Sequence, residues 1–407
     1  MSGVLEGLKV LEMGHVVAAP AAGATFADWG AEVIKVEPLT GEMARGFGHP
    51  ITPEEIAWVE SSDYVHTYFQ FLNRGKKGVA LDLRTASGQE IMHRLVAWAD
   101  IFFSNYEVGA LAKLGMDYEA LRQVNSRLVY GVLTGYGTAG PDKDERGFDY
   151  SAAWARSGLM YMIGEPGSIP APQRGGVMDR VTAAHMVSGL LAALYRANLA
   201  GEAQKVEFSL YHTGVWTMAE DMQVALMGSE AQRHDRTSAR NPLWNSYQAA
   251  DGEWFWAAML QPDLSWRDFC RALGHPEWEN DPRFDTVENR FWNREELIRL
   301  IDEVLLTRTM AEWESIFRAN NVIYGRVRSP HEVVEDPQAL ANDFFVSLKH
   351  PAKPDVKVTM TPVKFVEHPA EVRSCAPEVG EHTEEVLVAL GYDWENIGRF
   401  KEEGAIL

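Results

Sequence analysis

The sequence predicts an α/β protein: a mainly parallel sheet covered by helices, followed by a second, smaller domain. Three observations carry this prediction. Short β-rich runs alternate with helical patterns through the first half, the order that parallel strands with crossover helices require. The texture changes after about residue 220, where tryptophans and helical segments concentrate. The length of 407 residues accommodates one large domain or two ordinary ones.

The β-rich runs are 8–13, 33–37, 79–83, 101–104 and 128–133. Between them, 87–98 places Ile91, Leu95 and Trp98 on one helical face, and Ser87 suits the start as a cap. The span 181–198 is rich in Ala, Leu and Met and predicts a long helix closed by Gly201. Residues 205–210 form one more strand pattern. In 221–326, the segments 297–306 and 310–320 are helical, and 240–261 is a hairpin or small sheet turning at Asp251-Gly252. A final helix is expected at 383–390, after Pro-rich connections. No internal repeat or low-complexity tract interrupts the chain.

Composition excludes several classes of function. The hydrophobic fraction is 46% and the charged fraction 24%, as in soluble globular proteins. No run of about 18 apolar residues predicts a membrane span. The first residues lack the basic stretch, apolar block and cleavage site of a signal peptide, so they read as the start of the fold. Only two cysteines occur, Cys270 and Cys375, which argues against a disulfide framework or a cysteine metal site and suits a reducing cytoplasm. The net charge of −20 repels nucleic acid. On so acidic a chain, local basic clusters are where an anionic ligand would bind.

Standard signatures are missing. No G-x-G-x-x-G follows the first strand, and there is no Walker A, H-E-x-x-H or G-x-S-x-G sequence. Four candidates remain. Asn73-Arg74-Gly75-Lys76-Lys77 clusters cations around a glycine and suits phosphate, although on spacing alone a solvated turn is the favoured role. Arg174-Gly175-Gly176-Val177-Met178-Asp179-Arg180 sets a carboxylate at the threshold of the long helix. On spacing alone Asp179 is more often a helix cap, and both roles are compatible: helix-start amides keep a carboxylate ionised, as a nucleophile must be. His15 follows the first strand, where α/β folds carry ligand contacts. Trp244, Tyr247, Trp254, Phe255 and Trp256 suit an apolar pocket, and suit the small domain's core rather better.

Nearly end to end, the chain resembles the family III CoA-transferases, the group containing formyl-CoA, carnitine and 2-hydroxyacyl CoA-transferases. The resemblance rests on Leu5-Glu6-Gly7-Leu8-Lys9-Val10-Leu11 and on Ala27-Asp28-Trp29-Gly30-Ala31-Glu32-Val33-Ile34-Lys35-Val36-Glu37. Asn73 with Lys76-Lys77 and Leu81-Asp82-Leu83, Ala99-Asp100 through Asn105-Tyr106 and Gly109, and Gly135-Tyr136-Gly137 with Gly140-Pro141 add to it. So does Ala376-Pro377 with Gly380-Glu381-His382-Thr383. Gly147-Phe148-Asp149-Tyr150-Ser151-Ala152 is most similar to the branch acting on 2-hydroxy acids, phenyllactate and benzylsuccinate.

The resemblance implies a Rossmann-like large domain made from both chain ends, here 1–220 and 330–407, with a smaller α+β domain, 221–329, inserted between them. It also implies two chains interlocked as a homodimer or a heterodimer of homologous subunits, in the cytoplasm. Asp179 falls on the family's nucleophilic aspartate, which reverses the cap-first weighting. His15, Val16, Val17 and Ala18 fall on the loop lining the pantetheine end. Leu72, Arg74 and Lys76 fall on the CoA segment, with Lys76 meeting phosphate. Asn105, Tyr106 and Lys113 fall around the adenine and phosphates, and Tyr136 on an active-site tyrosine. Pro38 departs from relatives with a basic residue there, so Arg45 is expected to supply that charge. No glycine run stands at Asn241-Pro242-Leu243-Trp244-Asn245, so no glycine flap is expected.

The implied activity is transfer of CoA from an acyl-CoA thioester to a free acid through an aspartyl-CoA thioester. The acyl-CoA is a substrate, and no tightly bound cofactor or metal is expected. Succinyl-CoA is the expected donor and (R)-benzylsuccinate the expected acceptor, followed by aromatic or branched 2-hydroxy acids. Amides near Gly175-Gly176 are candidates to stabilise the oxyanions. An α-methylacyl-CoA racemase is the first rival, but it needs a histidine where Phe148 stands, and Phe148 transfers no proton. A catalytically silent acyl-CoA-binding subunit is the second, and retention of Asp179 argues against it.

Overall fold

The computed structural model describes residues 3–47, 67–351, 353 and 356–407. These form two compact units: Met1–Met160, Pro172–Ser229 and Gln338–Leu407 make the first, Tyr161–Ala171 and Glu230–Pro337 the second.

The first unit is built on a six-stranded, all-parallel sheet in the order β3-β2-β1-β4-β5-β6. The strands are β1 (Lys9–Met13), β2 (Glu32–Glu37), β3 (Lys77–Ala80), β4 (Ile101–Ser104), β5 (Val129–Thr134) and β6 (Gln204–Ser209). The order turns back on itself between β1 and β4, the switch point at which open α/β sheets leave a crevice beyond the strands' carboxyl ends. Helices α1 (Ala18–Asp28), α2 (Thr67–Asn73), α3 (Ala86–Trp98), α4 (Val108–Lys113) and α5 (Tyr118–Val124) lie between the strands in sequence. Leu11, Ile34, Val79, Phe102 and Tyr130 on the sheet bury against Ile91, Leu95 and Val96 of α3.

Local chemistry sets the ends of these elements, and it corrects two expectations. The α3 cap is Thr85, not Ser87: its hydroxyl accepts from the Gly88 amide, and Ser87 is buried inside the helix. Strand β3 leaves the sheet before residue 83, because the Asp82 amide turns to the Ala405 carbonyl at 2.9 Å.

After β5 comes a seven-residue π-helix, Asp149–Ala155, and then α6, Val177–Ala200. Helix α6 begins four residues earlier than its apolar pattern. Gly176 takes φ 72, a left-handed turn that any side chain would strain, and the helix follows it directly. Gly201, φ 70, ends it as expected. By length and composition α6 is apolar enough to resemble a membrane span, but one of its faces is built into the fold. Met178, Ala183, Met186, Val187 and Leu190 are buried, and it packs on α1, β5 and β6. Helices α7 (Leu210–Thr217) and α8 (Ala219–Leu226) follow β6.

In the second unit, β7 (Trp244–Gln248) and β8 (Trp254–Ala258) form the expected hairpin, with Gly252 at φ 83 in its turn. β9 (Tyr324–Arg326) completes a three-stranded antiparallel sheet. Tyr247 and Phe255 join the core with residues of α9 (Pro262–Leu273), α10 (Arg294–Leu305) and α11 (Met310–Ala319). Trp244 and Trp254, by contrast, are partly exposed.

The chain then returns to the first unit. Strands β10 (Phe345–Leu348) and β11 (Val356–Thr359) pair with each other, and α12 (Thr383–Ala389) and α13 (Trp394–Glu402) close the fold. The outer edge of β3 is sealed by this segment: Gly78 exchanges hydrogen bonds with His382, and the Ala80 amide donates to Thr383 Oγ1.

Candidate active site

The turns after β1 and β4 face each other across the switch point. The His15 amide donates to Asn105 Oδ1 at 3.0 Å, and Asn105 Nδ2 donates back to the His15 carbonyl at 2.8 Å. The Tyr106 ring meets the His15 ring edge-on at 5.0 Å. Burial pushes the His15 pKa down.

Val16 stands at φ 67. Among the described residues, the others with positive φ outside glycine are Asn321 and Asp343, types whose short polar side chains tolerate it. A β-branched residue there carries strain of about 1–3 kcal/mol and persists only where its surroundings over-determine it. The Val16 amide donates to Glu42 Oε2 at 2.8 Å. Next, Val17 forms the N-cap of α1 without any side-chain cap, and its methyl lies 3.1 Å from where a Cβ on Gly176 would sit. The starts of α1 and α6 therefore touch.

Beneath this turn lies a buried ionic chain. Lys35, on β2, pairs with Glu12 at 3.1 Å and Glu42 at 3.0 Å and donates to the Gly14 carbonyl at 2.8 Å. Lys76 pairs with Glu12 at 2.6 Å and donates to Pro20 O and Asn73 Oδ1. Glycine at position 23 in α1 admits this contact, since a Cβ there would lie 1.9 Å from Glu12 Oε2. Burial lowers the Lys76 pKa to about 8 against the pull of Glu12. Burial also opposes the Lys35 charge, but Glu12, Glu42 and Glu37 together outweigh it and raise that pKa.

In the 72–77 segment and at Arg45, the cations expected to meet CoA are each engaged by partners within the fold. Lys76 is 1% exposed and already surrounded by oxygens. Arg74 is equally buried and forks onto Asp28 at 3.1 and 2.7 Å. The solvated turn is corrected, because even Lys77 pairs with Glu32 and Glu385. Leu72 is a buried core residue. Arg45 forks onto Glu37 at 2.8 and 2.6 Å and reaches the Pro377 carbonyl, so its charge is spent within the fold. Lys113, in the last turn of α4, is exposed.

Asp179 is the third residue of α6, one turn inside the position a cap occupies, and is 8% exposed. The simple cap is thus corrected: Gly176 holds that place. The expectation of a readily ionised carboxylate is corrected as well. Burial, reinforced by the neighbouring Asp149 charge and opposed by Arg180, raises the Asp179 pKa to about 7. Asp149 opens the π-helix and is also buried. Burial raises its pKa, while the amides of Tyr150 and Gly176 oppose the rise. Tyr68, on α2, senses Asp179: burial first, then that charge, raises its pKa. Arg180 lies over the Phe71 ring at 5.1 Å. Tyr136 is half-buried, with the Arg156 guanidinium 4.8 Å from its ring centroid. Phe148, next to Asp149, is 59% exposed.

Sequence reasoning missed Asp149, Glu42, Lys35 and Glu12. A signal for the last two was present. Each is a charged residue inside an apolar strand of a parallel sheet, where both faces are buried and the charge must find a partner.

A family model described as CoA-transferase family III matches residues 5–383. The (R)-2-hydroxy-4-methylpentanoate CoA-transferase of Clostridioides difficile is 33% identical over 403 residues, covering 99% of each chain. The cinnamoyl-CoA:phenyllactate CoA-transferase of Clostridium sporogenes is 33% identical over 411 residues, covering 99% of this chain and 97% of its own. Among solved structures, a CAIB/BAIF family protein from Brucella suis superposes with a TM-score of 0.83 at 28% identity, covering 96% of this chain and all of that one.

Proposed function

The protein belongs to CoA-transferase family III, and from that premise we propose that Asp179 is the covalent carrier in a transfer of CoA from an acyl-CoA to a bulky or aromatic carboxylic acid. The single observation that carries this reading is a buried carboxylate, its pKa raised to about 7, at the touching starts of α1 and α6. A carboxylate so poorly stabilised gains by sharing its charge with an acyl carbon, yet it is largely ionised just above neutrality.

The reaction balances without an external proton or cofactor. An Asp179 oxygen attacks the donor thioester carbonyl, the C–S bond breaks, and CoA leaves as thiolate with a mixed anhydride behind it. The thiolate attacks the Asp179 carbonyl carbon and expels the donor acid as carboxylate. The resulting aspartyl-CoA thioester is attacked by the acceptor carboxylate, forming a second anhydride and releasing thiolate. That thiolate takes the acceptor acyl group and returns Asp179 as carboxylate. Each intermediate is prone to hydrolysis, so burial of Asp179 serves the chemistry by keeping water away.

For the acceptor, (R)-benzylsuccinate with succinyl-CoA as donor is the first pair to assay. Two relatives named for branched or aromatic 2-hydroxy acids, each 33% identical, support those acids as equal candidates. We assign Lys113, which is exposed, to a CoA phosphate, and His15, Val16, Val17, Ala18, Asn105, Tyr106 and Tyr136 to the rest of the site. We further propose that two chains interlock as a dimer in the cytoplasm. Racemisation is disfavoured because the Phe148 side chain can neither donate nor accept a proton.

The test is peptide mass spectrometry after brief incubation with succinyl-CoA and a borohydride quench. An aspartyl thioester is reduced, leaving a mass change on the Asp179 peptide. An unmodified peptide across several tightly bound donors refutes the carrier role.

A further inference from the structure

We infer that Glu42 is a positioning residue for the transfer reaction: by clasping the Val16 amide it holds the turn after β1 in the strained shape that sets Val17 against the start of the Asp179 helix. This inference rests on the reading of Asp179 as carrier.

Consecutive residues of the turn are each tied by a side chain from elsewhere. The Gly14 carbonyl is held by Lys35, both backbone groups of His15 by Asn105, and the Val16 amide by Glu42. Of these, Glu42 acts on the one residue whose backbone is strained. Its carboxylate cannot swing away, because it is 5% exposed and its second oxygen lies 3.0 Å from Lys35. Its own amide is anchored on Glu37 Oε2 at 3.1 Å, and Glu37 is in turn locked by Arg45. The clasp therefore has a rigid base on the end of β2. Released from it, Val16 has every reason to relax towards negative φ, since its branched side chain gains nothing from the left-handed region. The peptide that follows would rotate with it, and that peptide carries Val17, whose methyl meets Gly176 three residues before Asp179. A plain core ion pair would explain the burial of Glu42 and Lys35. It would not explain why the carboxylate spends its other oxygen on the strained amide.

The experiment pairs Glu42→Ala and Glu42→Gln with a Val16→Gly background. Glycine adopts φ near +67 without help, so the clasp has nothing left to hold there. With valine present, Glu42→Ala is expected to lower kcat, per carrier able to form the borohydride-trapped adduct, by about 10- to 100-fold, the scale of a 1 Å misplacement, with a smaller change in KM. In the Val16→Gly background the same change is expected to cost less than about threefold, because glycine needs no clasp. Glu42→Gln keeps an acceptor oxygen and should fall between. Equal losses in both backgrounds overturn the inference, as does a lowered Tm with unchanged kcat per carrier. Amide hydrogen exchange supplies an arm that needs no catalysis. Faster exchange at Val16 in Glu42→Ala, with other turns as in the wild type, supports the clasp, and an unchanged rate overturns it whatever the activity. A wild-type chain that forms no adduct refutes the carrier reading instead, so the two failures are told apart.

Discussion

Replacing Asp179 by Asn should make the protein more stable, and increasingly so as pH rises. In the unfolded chain this carboxyl ionises near 3.8; in the fold burial and Asp149 hold it to about 7. Between those values the unfolded chain releases its proton and the folded one does not, so wild-type stability declines with rising pH and levels off above about 7. The rise from 3.8 to about 7, at about 1.36 kcal/mol per tenfold, is worth roughly 4 kcal/mol in full. About 1.5 kcal/mol of it is already lost at pH 5, leaving about 2.5 kcal/mol to appear between pH 5 and pH 8.5. Asn keeps the shape and carries no charge, so the variant escapes this decline. Urea unfolding of both proteins, followed by tryptophan fluorescence at pH 5 and 8.5 and equal ionic strength, measures the gap. A gap that is the same at the two pH values would refute the reasoning, because the burial of a reluctant charge would then contribute nothing. Transfer activity should be absent from the variant at either pH, the usual opposition between a strained site and stability.

Asp149→Asn removes the like charge beside Asp179, so the acid limb of the kcat/KM profile for transfer should move to lower pH while staying above 3.8, because burial is the larger cause of the shift; a limb that stays put or moves up contradicts the pairing. Lys76→Met leaves Glu12 buried with Lys35 as its remaining cation among the partners described, and should destabilise the fold by about 3–5 kcal/mol, read by urea unfolding. The same variant should bind acyl-CoA with an unchanged constant once folded; a tenfold weaker constant with unaltered unfolding would return Lys76 to phosphate binding.

The parallel sheet was legible because its strands are short apolar runs, and 101–104 appears in place to the residue. The start of α6 was not, because Gly176 makes its turn by backbone conformation and Met178-Asp179-Arg180 breaks the apolar period that marks a helix. The π-helix at Asp149 was equally invisible, since its wider turn has neither the period of an α-helix nor that of a strand. Asp179 was singled out through resemblance; spacing alone favoured a cap, and only packing shows the carboxylate buried in the first turn of the helix and beside Asp149. The burial of Arg74 and Lys76 was hidden for a physical reason. A run of cations looks solvated in sequence, while their partners Asp28 and Glu12 stand some 46 and 64 residues away. Val16 runs against propensity altogether, and a strained valine is intelligible only with the Glu42 clasp in view.

The seal on β3 also dictates an order of events during synthesis. Gly78 finds its partner His382 only 304 residues later in the chain. At a translation rate of about 5–20 residues per second, the nascent sheet waits roughly 15–60 s with that strand's outer amides and carbonyls unpaired. An open edge of this kind is a template for pairing with other chains. A ribosome stalled before His382 would therefore release a product whose described strands are all present and whose border is unfinished, a natural client for chaperones and proteases.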